Sequence, residues 1–267
     1  MASIAPQTAT GFRLGVLGAG RLGEAVARTW FARTGKTPLV WSRNHSSARI
    51  AEAAWVGDWT SLLEAHSFLI AIPGKALLQL AADNEAAGQF TGNVFCAAAS
   101  LSPSSLQRVF PRATVFCVSP FLIDGVNSIP MLVLRPDTCP VEKWSAAKAE
   151  LELFGEVDVV DDEEIFSQLS LLGASWPGVV LACVQAAAAA GLQGIEDVNA
   201  NRIGNRLFFR AMQSLIASRA RGEQDGAGEI ATPGGITERG LQSLGEVTSL
   251  LETVFQRMRA RAAELRA

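Results

Sequence analysis

Three glycines at the spacing Gly18-Ala19-Gly20-Arg21-Leu22-Gly23 follow the apolar run from Phe12 to Leu17 and open a segment, Arg21 to Thr34, with helical character. A strand, a glycine turn and a helix in that order form a seat for a pyrophosphate. Gly18 permits the tight turn, Gly20 lets the backbone approach the phosphates, and Gly23 lets the helix pack closely on the strand. The first N–H groups of the helix have no internal partners and point at the anion. With Arg21 and Leu22 between them, these residues predict a dinucleotide cofactor; a purely structural turn is the alternative.

The end of the second strand selects the cofactor. An enzyme that uses NAD usually carries an acid there for the ribose 2′-hydroxyl. This chain has Trp41-Ser42-Arg43-Asn44, with no acid. Ser42 can donate to a 2′-phosphate, and Arg43 can pair with it through a charge-assisted hydrogen bond. The pattern predicts NADP, with NADPH preferred over NADH, unless Arg43 is an ordinary surface arginine. Pro73-Gly74-Lys75 closes the next strand at the edge where the ligand crosses. Lys75 either lines the cofactor or simply begins a helix.

A second glycine constellation, Thr232-Pro233-Gly234-Gly235-Ile236-Thr237-Glu238-Arg239-Gly240-Leu241, lies near the C-terminus. Its chemistry follows from what the chain lacks. There is no tyrosine, so a Tyr-Lys acid pair is impossible. The two histidines, His45 and His66, and the four lysines, Lys36, Lys75, Lys143 and Lys148, all lie before the C-terminal helices. A β-hydroxyacid dehydrogenase has a similar layout but carries its catalytic lysine there. Reduction of a ketone, which needs an acid for the forming alkoxide, is therefore disfavoured. A protonated imine is already a strong hydride acceptor and asks chiefly for orientation. Gly234 and Gly235 can hold a carboxylate through their N–H groups, and Thr237 can bond the imine nitrogen. Alternatively, Thr232 or Thr237 is a helix cap and the glycines an ordinary turn.

The elements that position these residues alternate. Strands are expected over Phe12–Leu17, Pro38–Trp41, Phe68–Ile72, Asn93–Cys96, Thr114–Val118 and Val157–Val160, with a further one at Met131–Leu134. Helices are expected over residues 21–34, 46–54, 75–85, 102–110 and 141–154. Short apolar strands alternating with helices imply a parallel sheet covered on both faces. From about Asp162 the chain turns alanine-rich and helical, over residues 165–190 (interrupted near Pro177), 195–220 and 243–265. The reading is an α/β protein: a Rossmann-type doubly wound parallel sheet over residues 1–161 and an all-α domain over 162–267.

With 267 residues, 49% of them hydrophobic, the chain can fill a core of that size. A net charge of −3 without a basic block makes nucleic acid or an anionic membrane surface a poor partner. No unbroken apolar run reaches the ~18 residues that span a bilayer. Met1 to Thr10 lacks the basic and apolar parts of a secretory signal and is read as a disordered tail. Cys96, Cys117, Cys139 and Cys183 match neither a zinc site nor a disulfide framework and are read as buried free thiols in a reducing cytoplasm. No metal site is expected.

Taken together these segments resemble the pyrroline-5-carboxylate reductase family along nearly the whole chain. The glycine fingerprint, Pro73 at a strand end, and Phe116-Cys117-Val118-Ser119-Pro120 at that family's Met-Pro segment carry the resemblance. So do Gly173-Ala174-Ser175-Trp176-Pro177 at its Ser-Gly-Ser-Gly-Pro turn and, most specifically, the segment from Ala231 to Thr237 at its Thr-Ser-Pro-Gly-Gly-Thr-Thr signature. The resemblance implies a reductase of a cyclic imine acid, by default one that forms proline, using NADPH or NADH. It implies a homodimer interlocked through the C-terminal helices, with Thr237 at the substrate and Gly234 and Gly235 on its carboxylate. Three positions depart: Phe121-Leu122-Ile123 replaces Asn-Thr-Pro, Trp176 replaces glycine and Ile236 replaces threonine. They make the pocket bulkier and more apolar. Trp176 either meets the substrate or packs between helices. A different imine, or an NADP-binding protein without reductase activity, are the alternatives.

Overall fold

The computed structural model describes residues 13–43, 50–83, 85–122, 128–220 and 244–266. Its first compact unit spans residues 1–174 with 261–267, and its second spans residues 175–260.

The first unit is built on one eight-stranded sheet. In chain order the strands are β1 (Leu14–Leu17), β2 (Leu39–Trp41), β3 (Ala54–Trp55), β4 (Ser67–Ile70), β5 (Asn93–Cys96), β6 (Thr114–Pro120), β7 (Met131–Leu134) and β8 (Val157–Val160). In space they run β3-β2-β1-β4-β5-β6-β7-β8. The pairs from β3 to β6 are parallel, β7 pairs antiparallel with β6, and β8 is parallel to β7. The chain thus leaves β1 to one side for β2 and returns to the other for β4. That reversal of order opens a crevice at the carboxyl ends of β1 and β4, where ligands bind in such sheets.

Helices α1 (Arg21–Thr34), α2 (Gly74–Ala82), α3 (Pro103–Val109), α4 (Val141–Leu151) and α5 (Glu163–Ser170) belong to this unit. Alternate side chains of each strand feed two separate cores, as a sheet covered on both faces requires. On one face Leu14, Val16, Leu69, Phe95, Phe116 and Val133 pack with Val26, Ala27 and Trp30 of α1 and with Ala147 and Leu151 of α4. On the other, Leu17, Phe68, Ile70, Val94 and Val115 pack with Leu77 of α2, Leu106 of α3, and Trp59 and Leu62 of a 3-10 turn. Phe68, Phe90 and Phe110 close that core edge-to-face, with ring centroids 6.0 to 6.5 Å apart.

Three sequence expectations change. The helix expected over residues 46–54 is not formed in its described part: Ala51 to Ala53 are turn and irregular, and Ala54 and Trp55 pair with Leu39 and Val40 as an edge strand. An exposed edge of β2 outweighs the helix propensity of Ala-Glu-Ala-Ala. The sheet is parallel as expected with one exception, the antiparallel pairing of β7 with β6. The first unit continues beyond residue 161, since α5 packs on β7 and β8. Of the cysteines, Cys96 and Cys117 are buried as expected, whereas Cys139 is half-buried and Cys183 exposed; none of the four is in a disulfide.

The second unit is helical: α6 (Trp176–Gly191), α7 (Val198–Ala220) and most of α8 (Leu244–Arg266). A π-helical turn, Leu171–Ser175, joins α5 to α6, so helix is continuous from Glu163 to Gly191. Pro177 stands just after this π-helical turn. That helix is long and apolar enough to cross a membrane, and only 6% of its most apolar window is buried. The sequence criterion missed it because Ser170, Gly173, Ser175 and Gln185 interrupt the apolar run. Leu181, Ile203, Leu207, Ile216 and Leu250 are also exposed in this unit. Helices of this kind normally bury such a face against a partner.

Candidate active site

At the carboxyl end of β1 the chain forms the strand, tight turn and helix that the glycine spacing predicts. Gly18 is buried with φ of +106°, a region that favours glycine. A Cβ there would stand 2.7 Å from the Ala71 carbonyl oxygen and 2.7 Å from a methyl carbon of Ile72. Its N–H donates to the Trp41 carbonyl at 2.8 Å, and the Ala71 N–H donates to the Leu17 carbonyl at 2.8 Å. The three strand ends that frame the crevice are thereby tied together. Gly23 is buried in the first turn of α1, and a Cβ on it would collide with the Gly18 carbonyl oxygen. Gly20 differs: it is exposed, caps α1 without a side chain, and has open space where its Cβ would be. The start of α1, whose first N–H groups have no partner within the helix, is thus left open at Gly20. Arg21 is exposed and Leu22 is half-buried against the core.

Ser42 and Arg43 directly follow β2, half-buried and exposed respectively. Asn44 lies outside the described residues. At the end of β4, Pro73 caps α2 and Lys75 is exposed in its first turn. Gly74 between them is buried, and a Cβ there would press on Ser100 Oγ at 2.5 Å and Leu101 Cγ at 2.7 Å. Sequence reading did not single out that close approach. It seats the Pro73 turn against the loop after β5, so the ends of β1, β2, β4 and β5 form one continuous rim.

Phe121 follows β6 on the same edge, half-buried. Its N–H donates to the Pro130 carbonyl at 2.8 Å. Its ring occupies the place a Cβ on Gly173 would take, so the ring lies against the backbone of the π-helical turn. Trp176, in the second unit, meets Phe255 of α8 edge-to-face at 5.0 Å between centroids, which is the helix-packing alternative for that residue. Gly234, Gly235, Ile236 and Thr237 lie outside the described residues.

Burial raises the pKa of three described groups in this unit, Cys96, Cys139 and Glu150. Burial pushes the Cys96 thiol up to about 12, so at the end of β5 it stays protonated and inert. Glu150, on the core-facing side of α4, accepts hydrogen bonds from Ser67 Oγ at 2.5 Å and Asn93 Nδ2 at 3.1 Å. Ser67 and Asn93 begin β4 and β5, so this cluster sits at the edge opposite the cofactor rim and acts as a clamp. Burial raises the Glu150 carboxyl from 4.5 to about 7, against the opposing effect of its two hydrogen bonds. The folded state therefore binds the proton more tightly than the unfolded chain. This stabilisation is complete below about pH 4.5 and is lost as pH rises through about 7, with an upper bound of roughly 3 kcal/mol. Glu150→Gln carries no charge, and its amide can accept from Asn93 Nδ2 and donate to Ser67 Oγ, whose hydroxyl then acts as acceptor. Its melting temperature is expected to lose most of the decline that the wild type shows between pH 5 and pH 8. An unchanged decline would remove Glu150 as its source.

No protein-family model matches this sequence, and comparison with curated proteins finds no similar one. Solved structures do match. A pyrroline-5-carboxylate reductase from Coxiella burnetii superposes with a TM-score of 0.77, covering 95% of this chain and 98% of its own, at 15% identity. The chain has the fold of the pyrroline-5-carboxylate reductases. A pyrroline carboxylate reductase from Plasmodium falciparum with NADP bound reaches 0.79 at 13% identity, over 96% of this chain and 99% of that one. An imine reductase from Streptomyces aurantiacus is more distant at 0.57 and 16% identity, over 96% and 95%. The shared fold puts the glycine turn, the β4 end and the helical C-terminal region in the order that a pyrroline-5-carboxylate reductase fold requires.

Proposed function

We propose that this protein is an NADPH-dependent reductase of a small cyclic imine. The observation that carries the reading is the glycine turn of Gly18, Gly20 and Gly23 at the switch point of the sheet, in a fold shared with pyrroline-5-carboxylate and imine reductases. The helix N-terminus at Gly20 holds the pyrophosphate, and Ser42, Arg43 and Asn44 hold the 2′-phosphate. Pro73 and Lys75 border the cofactor further along the rim. When bound, the cofactor supplies a hydride. The protein holds the imine in reach, keeps water away, and places the Thr237 hydroxyl at the imine nitrogen. The hydride with its electron pair adds to the carbon of the protonated C=N bond, leaving an amine and NADP⁺. Gly234 and Gly235 offer N–H groups to a substrate carboxylate, and pyrroline-5-carboxylate, which gives proline, is the default substrate. Phe121 on Gly173 favours a second reading, a different imine from a specialised pathway.

The exposed apolar helices support a homodimer formed through the C-terminal region, and the net charge of −3 without a basic block speaks against a nucleic-acid partner. Thr237→Ala is expected to lower kcat roughly 10- to 100-fold with NADPH affinity unchanged, as befits loss of one hydrogen bond formed at the reacting centre. Steady-state rates beside a cofactor titration check it. An unaltered kcat would return Thr237 to the role of a helix cap. NADPH binding with no turnover of any imine would instead favour a binding protein without reductase activity.

A further inference from the structure

The rim of the first unit is chemically uneven along its length. Its cations, Arg21, Arg43 and Lys75, cluster at the ends of β1, β2 and β4. Beyond them, the segments 97–101, 119–122 and 171–174 read Ala-Ala-Ala-Ser-Leu, Ser-Pro-Phe-Leu and Leu-Leu-Gly-Ala, without a charged side chain. Phe121 stands in the middle of this stretch, its ring laid over Gly173, with Leu122 37% exposed beside it. Glu156 immediately precedes β8, and its carbonyl accepts from the Met131 N–H at the same edge, so among the described residues an acid stands two strands beyond β6.

A dinucleotide that spends its phosphates on the basic end puts its nicotinamide toward the apolar end. A substrate anion there would lose its hydration against aromatic and aliphatic carbon, with a like charge beyond. We propose that Phe121, seated on Gly173, makes this site selective for cyclic imines that carry no carboxylate. The inference rests on the imine-reductase reading above and replaces its default substrate, together with the carboxylate role given there to Gly234 and Gly235. The reaction balances as before: the iminium carbon gains a hydride from NADPH, the nitrogen keeps its proton, and the products are a neutral secondary amine and NADP⁺.

The test compares two substrates that differ only in the carboxylate, 1-pyrroline and 1-pyrroline-5-carboxylate, using the full chain and NADPH. The wild type is expected to favour 1-pyrroline in kcat/KM by roughly tenfold or more, chiefly through KM. Phe121→Asn supplies an amide donor and is expected to narrow that preference about tenfold, whereas Phe121→Leu, which keeps an apolar wall, retains it. Melting temperatures of all three proteins separate misfolding from specificity, and if Phe121→Asn does not fold, the wild-type preference and Phe121→Leu decide. Preference of the wild type for the carboxylated imine overturns the inference while leaving imine reduction intact. An equal shift in Phe121→Leu and Phe121→Asn also overturns it. Bound NADPH with turnover of neither imine removes the imine-reductase reading itself.

Discussion

Gly20→Val is expected to abolish NADPH binding while leaving the fold intact, and Gly23→Ala to lose both. The two glycines lie three residues apart in one turn, yet their surroundings are opposite. A Cβ on Gly23 collides with the Gly18 carbonyl oxygen, which is backbone and is held in place by the bond from the Gly18 N–H to the Trp41 carbonyl. Relief requires α1 to move off β1, which unpacks Val26, Ala27 and Trp30 from Leu14 and Val16. Such overpacking costs on the order of 2–4 kcal/mol. Gly20 meets nothing within 4 Å, and its φ of −74° suits any residue. A valine there projects into the space that the proposed function gives to the pyrophosphate, and affinity is expected to fall by roughly 100-fold or more, while replacing a favoured N-cap residue costs about 1 kcal/mol of stability. Thermal melts alongside a fluorescence titration with NADPH read both quantities. Tight NADPH binding by Gly20→Val would mean that the turn is structural only.

Arg43→Glu is expected to invert cofactor choice. Ser42 and Arg43 leave β2 at the crevice, half-buried and exposed, and no acid stands at that point to receive a ribose 2′-hydroxyl. A charge-assisted hydrogen bond from arginine to a 2′-phosphate contributes about 1.5–3 kcal/mol. Removing it therefore weakens NADPH about 10- to 100-fold. Glutamate adds repulsion toward the phosphate and an acceptor for the bare hydroxyl, so NADH binding is expected to improve. Dissociation constants for both cofactors in wild type and variant check this. Equal affinities for NADPH in the two proteins would make Arg43 an ordinary surface residue.

The parts of the fold that could be read in the sequence are those where local pattern and tertiary need agree. Gly18, Gly20 and Gly23 announce a strand, a turn and a helix, and the structure has β1 and α1 there. The strands β5 and β8 begin and end where their apolar runs do. What escaped reading depends on partners remote in sequence. Ala54 and Trp55 become a strand only because β2 has a free edge. Gly173 reads as a turn glycine, but its role is to admit the ring of Phe121, some fifty residues earlier. Gly74 looked like a helix start, and its closeness to Ser100 and Leu101 is set by the spacing of β4 and β5. Glu150 was legible in principle: it lies on the stripe of α4 that carries Ala147 and Leu151 to the core, where an acid demands hydrogen-bond donors.

Hydride transfer to carbon of a C=N bond is the central claim, and an isotope tests it most directly. NADPH carrying deuterium at both hydrogens of nicotinamide C4 is incubated with the protein and a cyclic imine, and the amine is recovered for mass and NMR analysis. The account predicts one deuterium, on the former imine carbon, with NADP⁺ formed in equal amount. Cofactor that binds but yields no deuterated amine from either pyrroline would contradict it.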